Sequence, residues 1–212
     1  MDISVTCSEC RKVLSKQPAP PRGKNDVKFI SYYTKGTPYR REAQRLESSL
    51  RRLGVDYEVA EVPNLGSWKL NARFKATFVR DRVGDRPVVW IDADAIMWEP
   101  PLLLMDLDCD FAHTYARPNQ LNGALHYWAP TKKAVALAER WVEICSERNP
   151  KSTSFVRDQR CLQYAMEERV KKNQLDVVVL PISYCFIFDT HRRKNPGVRP
   201  IIEQFQASRE FK

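Results

Sequence analysis

The chain has 212 residues, a formal net charge of +9, and 43% hydrophobic and 10% aromatic residues. That length suits one domain with a real core, and that composition excludes a disordered chain. No run approaches the ~20 apolar residues of a membrane span, and no apolar leader opens the chain, so a soluble, cytoplasmic protein is expected; its charge favours anionic partners such as nucleic acid or a nucleotide.

Residues 1–26 hold few apolar side chains and end in "SKQPAPPRGKND", which reads as a basic N-terminal arm carrying Lys12, Lys16, Arg22 and Lys24. Cys7 and Cys10 form a C-x-x-C, but no second pair or H-x-x-x-H follows to complete a tetrahedral zinc site. Unpaired thiols are therefore expected for the six cysteines.

The domain proper is expected over 27–212. "VKFISYYT" reads as a first strand, and Ala43, Leu46, Leu50 and Leu53 recur at helical spacing before Gly54, which predicts a helix over 39–53. "DYEVAEV" is a second strand, "NLGSWKL" opens a helix reaching about Asp81, and "VVWIDADAIMWEPP" contains a third strand. "CDFAHTYA" and "LNGALHYWA" read as strands. Thr131 caps a helix to about Ser146 with Ala134, Leu137, Ala138, Trp141 and Cys145 inward. A last helix is expected over 157–170 with Leu162, Ala165, Met166 and Val170 on one face, and "DVVVLPISYCFIF" as one buried strand. Strands alternating with helices predict an α/β sheet covered on both sides.

Asp92 and Asp94 end the apolar run Val88–Ile91. If the strand continues through them, they share one face near its mouth. Two such charges are unfavourable together unless a cation or a shared proton offsets them. Oxygen ligands suit Mg²⁺ or Mn²⁺, ions that keep positions open for substrate phosphates. Ligands of open α/β sheets sit beyond the carboxyl ends of the strands, where this pair falls. With only seven glycines, no G-x-G-x-x-G after a strand and no G-x-x-x-x-G-K-[ST], neither a dinucleotide fingerprint nor a P-loop is present.

In this order, "FISYYTKGTPY", "LGSWKLNARFK", "WIDADAIMWEPP", "LNGALHYWAP", "RDQRCLQYAM" and "IIEQFQASR" resemble small GT-A-type glycosyltransferases, including bacteriophage members, over about residues 27–212. The resemblance implies a GT-A-like single domain, a Rossmann-like mixed sheet with helices on both faces. It also implies metal-dependent transfer of a hexose from a nucleotide-sugar donor, a UDP-sugar above all, to a hydroxyl acceptor. On that resemblance Asp94 is a direct metal ligand, Asp92 contacts the ribose or the metal, and Tyr33, Thr34 and Gly36 border the base and ribose. Asn122 and Gly123 pass under the donor sugar. Asp158 and Gln159 match the family's D-Q pair near the sugar hydroxyls, with Asp158 the candidate catalytic carboxylate; a plain helix-start charge is its alternative. Many members supply a C-terminal histidine as third ligand, where this chain reads Glu203, Gln204, Phe205, Gln206. His191, Gln204 or Glu203 are the candidates to replace it.

Asn71 and Lys75 stand four apart on one helical face, so they can point together at donor phosphates. His126, within an apolar strand, reads first as a core residue. Arg192, Arg193, Lys194 and Arg199 form a basic segment with little acidic relief, the expected contacts for a DNA acceptor, and the phage-like resemblance implies hydroxymethylated pyrimidines as its targets. Trp68, Tyr115 and Trp128 are candidates to stack on an extruded base. A surface glycan or lipid-linked sugar is the competing acceptor, and a non-catalytic nucleic-acid-binding module the competing class. Phosphatases that carry D-x-D on their first strand fit less well, because two strands precede it here.

Overall fold

The computed structural model describes residues 27–148 and 157–209. The basic arm, with Cys7 and Cys10, lies outside them.

Among these residues there are five α-helices and nine strands, and the strands form two sheets. The strands are β1 (Lys28–Thr34), β2 (Asp56–Val62), β3 (Val88–Ile91), β4 (Ala95–Met97), β5 (Phe111–Arg117), β6 (Gln120–Trp128), β7 (Val177–Val179), β8 (Phe186–Ile187) and β9 (Ile202–Gln204). The helices are α1 (Tyr39–Arg52), α2 (Trp68–Arg80), α3 (Lys132–Glu147), α4 (Asp158–Lys171) and the short α5 (Thr190–Lys194). The large sheet runs β2-β1-β3-β6-β5-β7. It is mixed, since β1 pairs parallel with β2 and β3 while β6 runs antiparallel to both β3 and β5.

Both faces of the sheet are covered, which is why β3 and most of β6 read as near-continuous apolar runs. Helices α2, α3 and α4 cover one face through Phe78, Val79, Leu137, Trp141 and Leu162, packed on Trp90, Phe111 and Trp128. On the opposite face lie α1, through Leu46 and Leu50, and the small second sheet β4-β9-β8. Buried Ser49 of α1 accepts a hydrogen bond from Met97 N at 3.1 Å, and Arg52 donates to Met97 O at 2.8 Å. Those two bonds seat β4 on the helix. After α1, Gly54 adopts φ +65°, the left-handed turn that stops a helix and suits glycine.

Three expectations are corrected. The run from Val88 does not stay a strand through Asp94: it ends at Ile91, and a turn closed by Ala95 N to Asp92 O at 3.1 Å carries the chain into β4. The segment 176–188 is not one strand but β7, a 3₁₀ turn over Ile182–Tyr184, and β8. Pro181 has no N–H for a ladder and starts that turn, after which β8 joins the other sheet. Val170 is exposed, not inward. No helix among the described residues is long and apolar enough to cross a membrane.

Candidate active site

Beyond the carboxyl ends of β1 and β3 opens a cleft of about 750 Å³. Tyr33, Thr34, Asn71, Lys75, Asp92, Asp94, Asn122, Gly123, Asp158 and Gln159 all line it. They come from β1, α2, the β3–β4 turn, β6 and the first turn of α4, so residues far apart in sequence converge on one site. Gly36 is not on the wall; it supports the turn after β1 at φ +71°.

The turn sequence sets the geometry of the two aspartates. Asp92 donates its N–H to Ala124 O at 2.9 Å, continuing the β3–β6 ladder by one bond, and buried Ala93 then separates it from Asp94. Asp92 Oδ1 accepts from Lys75 Nζ at 2.7 Å and from Trp90 Nε1 at 2.8 Å. Asp94 Oδ2 accepts the Ala207 N–H at 2.8 Å, and Asp94 O accepts the Phe205 N–H at 3.0 Å. Burial and the Asp92 carboxylate beside it push the Asp94 carboxyl up to about 7. A cation near this turn would relieve that repulsion.

Lys75 is engaged by acids of the chain itself. Its ammonium is buried, donating to Asp92 and to Gly123 O at 3.1 Å, and lies 3.5 Å from Asp158 Oδ2. Burial works against that charge, but the Asp92 and Asp158 carboxylates outweigh it and hold the ammonium above its ordinary range. Asn71 turns the other way, accepting from Leu65 N at 2.8 Å and donating to Asn64 Oδ1 at 3.0 Å. The two share the cleft but do not point together: Asn71 shapes the loop before α2, whereas Lys75 ties two carboxylates. Burial raises the Asp158 carboxyl, and Lys75 opposes that rise. Asp158 is the first residue of α4, so its helix-start position and its contact with Lys75 coexist.

Gly123 is required by close packing. A Cβ there would lie 2.9 Å from Gln159 Cβ, a distance that side chains do not tolerate. Asn122 is buried, donating to Cys185 Sγ at 3.1 Å and accepting from Ala124 N at 3.0 Å.

The third-ligand candidates differ sharply. His191 is buried outside the cleft, and its Nδ1 accepts the Ile187 N–H at 3.0 Å. Glu203 is taken by Trp98 Nε1 at 2.9 Å and by Arg192. Gln204 sits on β9 opposite Ala95, one residue from Asp94, fully buried with neither amide atom hydrogen-bonded. Among the described residues no three His, Cys, Asp or Glu side chains gather as a metal site. Asp92 and Asp94 are the carboxylates that line the cleft at this turn, and Gln204, like His191, lies off the cleft wall.

The basic segment lies apart from the cleft wall, and its acidic relief is supplied in space: Arg192 pairs with Glu203, and Arg199 with Glu99 at 2.7 Å. Arg193 and Lys194 are exposed. Trp128 and His126 are fully buried core residues, Trp128 donating to His126 Nδ1 at 2.6 Å, and burial holds His126 well below the usual imidazole range. Trp68 lines the cleft, whereas exposed Tyr115 packs edge-on against His113. Sequence reasoning missed Tyr39, Arg117, Gln120, Arg157, Gln206 and Arg209 on the cleft wall. The positive φ of Asn119 and Gln206 marks the turns that place several of these, and a Pro-Asn pair at 118–119 is the only sequence signal for the first.

A mixed sheet with an acidic turn at the end of its third strand, completed by a C-terminal strand from a second sheet, is the arrangement of GT-A glycosyltransferases. Residues 85–207 match the nucleotide-diphospho-sugar transferase family, and the chain belongs to it. The protein is accordingly a glycosyltransferase that uses a nucleotide-sugar donor. Among solved structures, a glycosyltransferase involved in glycosylation of the major capsid of PBCV-1 superposes with a TM-score of 0.66 at 14% identity, covering 87% of this chain and 96% of that one. The glycosyltransferase GlyE of Streptococcus pneumoniae TIGR4 gives 0.57 at 15% identity over 86% of this chain and 55% of its own. The galactosyltransferase LgtC, solved with donor and acceptor sugar analogues, gives 0.53 at 10% identity over 84% and 87%. A comparison with curated proteins finds no match.

Proposed function

We propose that the protein transfers a hexose from a UDP-sugar to a hydroxyl acceptor with the help of Mn²⁺ or Mg²⁺, and that the acceptor is a hydroxymethylated pyrimidine in DNA. The observation that carries the donor half is the Asp92–Asp94 turn, where a raised carboxyl stands beside a second carboxylate at the strand end. Asp92 and Asp94 would hold the metal, which when bound neutralises the charge developing on the departing diphosphate. Lys75 fixes Asp92 and Asp158 in one geometry, so that the second carboxylate is presented to the sugar without reorganisation. Gly123 lets α4 approach closely enough for Asp158 and Gln159 to reach the sugar hydroxyls. Tyr33, Thr34 and Asn71 form the base and ribose end of the cleft.

The net charge of +9 and the exposed Arg193 and Lys194 support a polyanionic acceptor. The second reading is a glycan acceptor; the PBCV-1 neighbour, involved in capsid glycosylation, favours it. Incubation with a panel of UDP-sugars, with and without Mn²⁺, and duplex DNA bearing 5-hydroxymethylcytosine, 5-hydroxymethyluracil or unmodified bases tests both halves. A hexose mass increment on the digested hydroxymethyl nucleoside is expected. Metal-dependent donor hydrolysis without any transfer to DNA would retain the donor half and assign the acceptor to a glycan.

A further inference from the structure

The cleft wall carries charges of both signs. Near the aspartates, Lys75 is engaged by Asp92 and Asp158, so the free charge left there is negative and suited to a cation. Two arginines also line the cleft: Arg157, immediately before Asp158 and so beside that cluster, and Arg117, farther along on the β5–β6 hairpin. Both are exposed cleft-lining guanidinium groups with no acidic partner among the described residues, unlike Arg209 on the same rim, which pairs with Asp189.

Strand β6 provides the scale. Ala124 O receives the Asp92 N–H, and Gln120, four residues earlier, is the register partner of Arg117. At ~3.3 Å per residue, the Arg117 backbone stands about 13 Å along the strand from the aspartates. Helix α4 lies along β6 in the reverse direction: Gln159 packs on Gly123, and buried Gln163 donates to Asn119 O at 2.8 Å. That bond pins the hairpin turn to the helix. Arg157 precedes Gln163 by six residues, about 9 Å of helix, so the two free guanidinium groups arise from opposite ends of this contact.

We propose that Arg117 and Arg157 bracket the acceptor entrance and hold the phosphates on either side of an extruded nucleotide whose hydroxymethyl group accepts the sugar. This rests on the DNA acceptor proposed above. Extrusion is the ordinary way for an enzyme to reach a base in a duplex. An uncharged acceptor would leave both guanidinium groups unneutralised, whereas phosphates are the partners their planar donor sets match.

The test uses the full chain with Mn²⁺ and UDP, and follows the anisotropy of labelled duplex DNA containing 5-hydroxymethyluracil across a salt series. The double variant Arg117→Gln/Arg157→Gln should bind this duplex at least tenfold more weakly, with the slope of log affinity against log salt shallower by about 1.8, that is about 0.9 for each phosphate no longer neutralised. UDP affinity, measured by calorimetry on both proteins, reports separately on the donor site: absent UDP binding by the unmodified protein would overturn the donor reading itself. Equal DNA affinity and equal salt slope in the variant would overturn the proposal while leaving the donor site intact. So would unmodified protein that ignores the duplex but binds an oligogalacturonate through the same two arginines, since the anion would then belong to an acidic glycan. Both side chains are exposed, so a thermal melt of the variant should match that of the unmodified protein.

Discussion

Lys75 Nζ lies 2.7 Å from Asp92 Oδ1, inside the protein and not toward open solvent. With Asp158 Oδ2 at 3.5 Å, one ammonium serves two carboxylates. Lys75→Met removes the cation and leaves both acids in place, so a loss on the order of 3 kcal/mol is expected, the range for breaking a buried pair by deleting one partner. Urea denaturation measures it. A midpoint unchanged from the unmodified protein would return Lys75 to the class of solvated surface charges.

Asp94→Asn keeps the shape and a carbonyl oxygen to accept the Ala207 N–H, but loses the charge that attracts a cation. Turnover should fall by about 10² to 10³, the scale of removing one electrostatic stabiliser, while the melting temperature holds. Mn²⁺ titration by calorimetry should show the matching loss of metal affinity.

Gly123→Ala places a methyl group 2.9 Å from Gln159 Cβ. Overpacking of this kind costs about 1–3 kcal/mol. Because α4 must shift to relieve it, Asp158 moves with the helix, and kcat should drop by more than the stability loss alone implies. Gly84→Ala provides a contrast for the kinetics: its residue lies outside the cleft, so any strain from its φ of +137° should lower stability and spare kcat.

Ligand binding should register as stability. At a concentration one hundred times Kd, UDP with Mn²⁺ contributes about 2.7 kcal/mol, which in a domain of this size raises Tm by roughly 5–10 °C. A chelator should cancel most of that rise. An equal rise with UDP alone would show that the aspartate turn binds the nucleotide without a cation.

Much of the architecture is legible in the sequence because apolar periodicity is local: α1, α2, α3 and α4 fall within a few residues of where Leu46, Thr131 and their neighbours place them. The second sheet is not legible. Ala95–Met97 and Ile202–Gln204 are three-residue strands that acquire their identity only by pairing across the chain, and no window around either carries that information. The same distinction holds at the cleft. Asp92 and Asp94 announce themselves by ending an apolar run, whereas the engagement of Lys75 depends on α4 packing over β6. The basic run Arg192–Lys194 looks unopposed in sequence because its acid, Glu203, lies eleven residues beyond Arg192 and faces it only after β9 folds back.

That folding back sets a schedule. Asp94 depends on Ala207, 113 residues later, for the hydrogen bond on its carboxylate, and β4 depends on β9 for its only partner among the described strands. At 5–20 residues per second, on the order of ten seconds separate synthesis of the acidic turn from synthesis of the segment that completes it. Throughout that interval the growing chain holds the large sheet's first strands without the segment that braces the acidic turn, so a stalled or prematurely released chain cannot complete that turn.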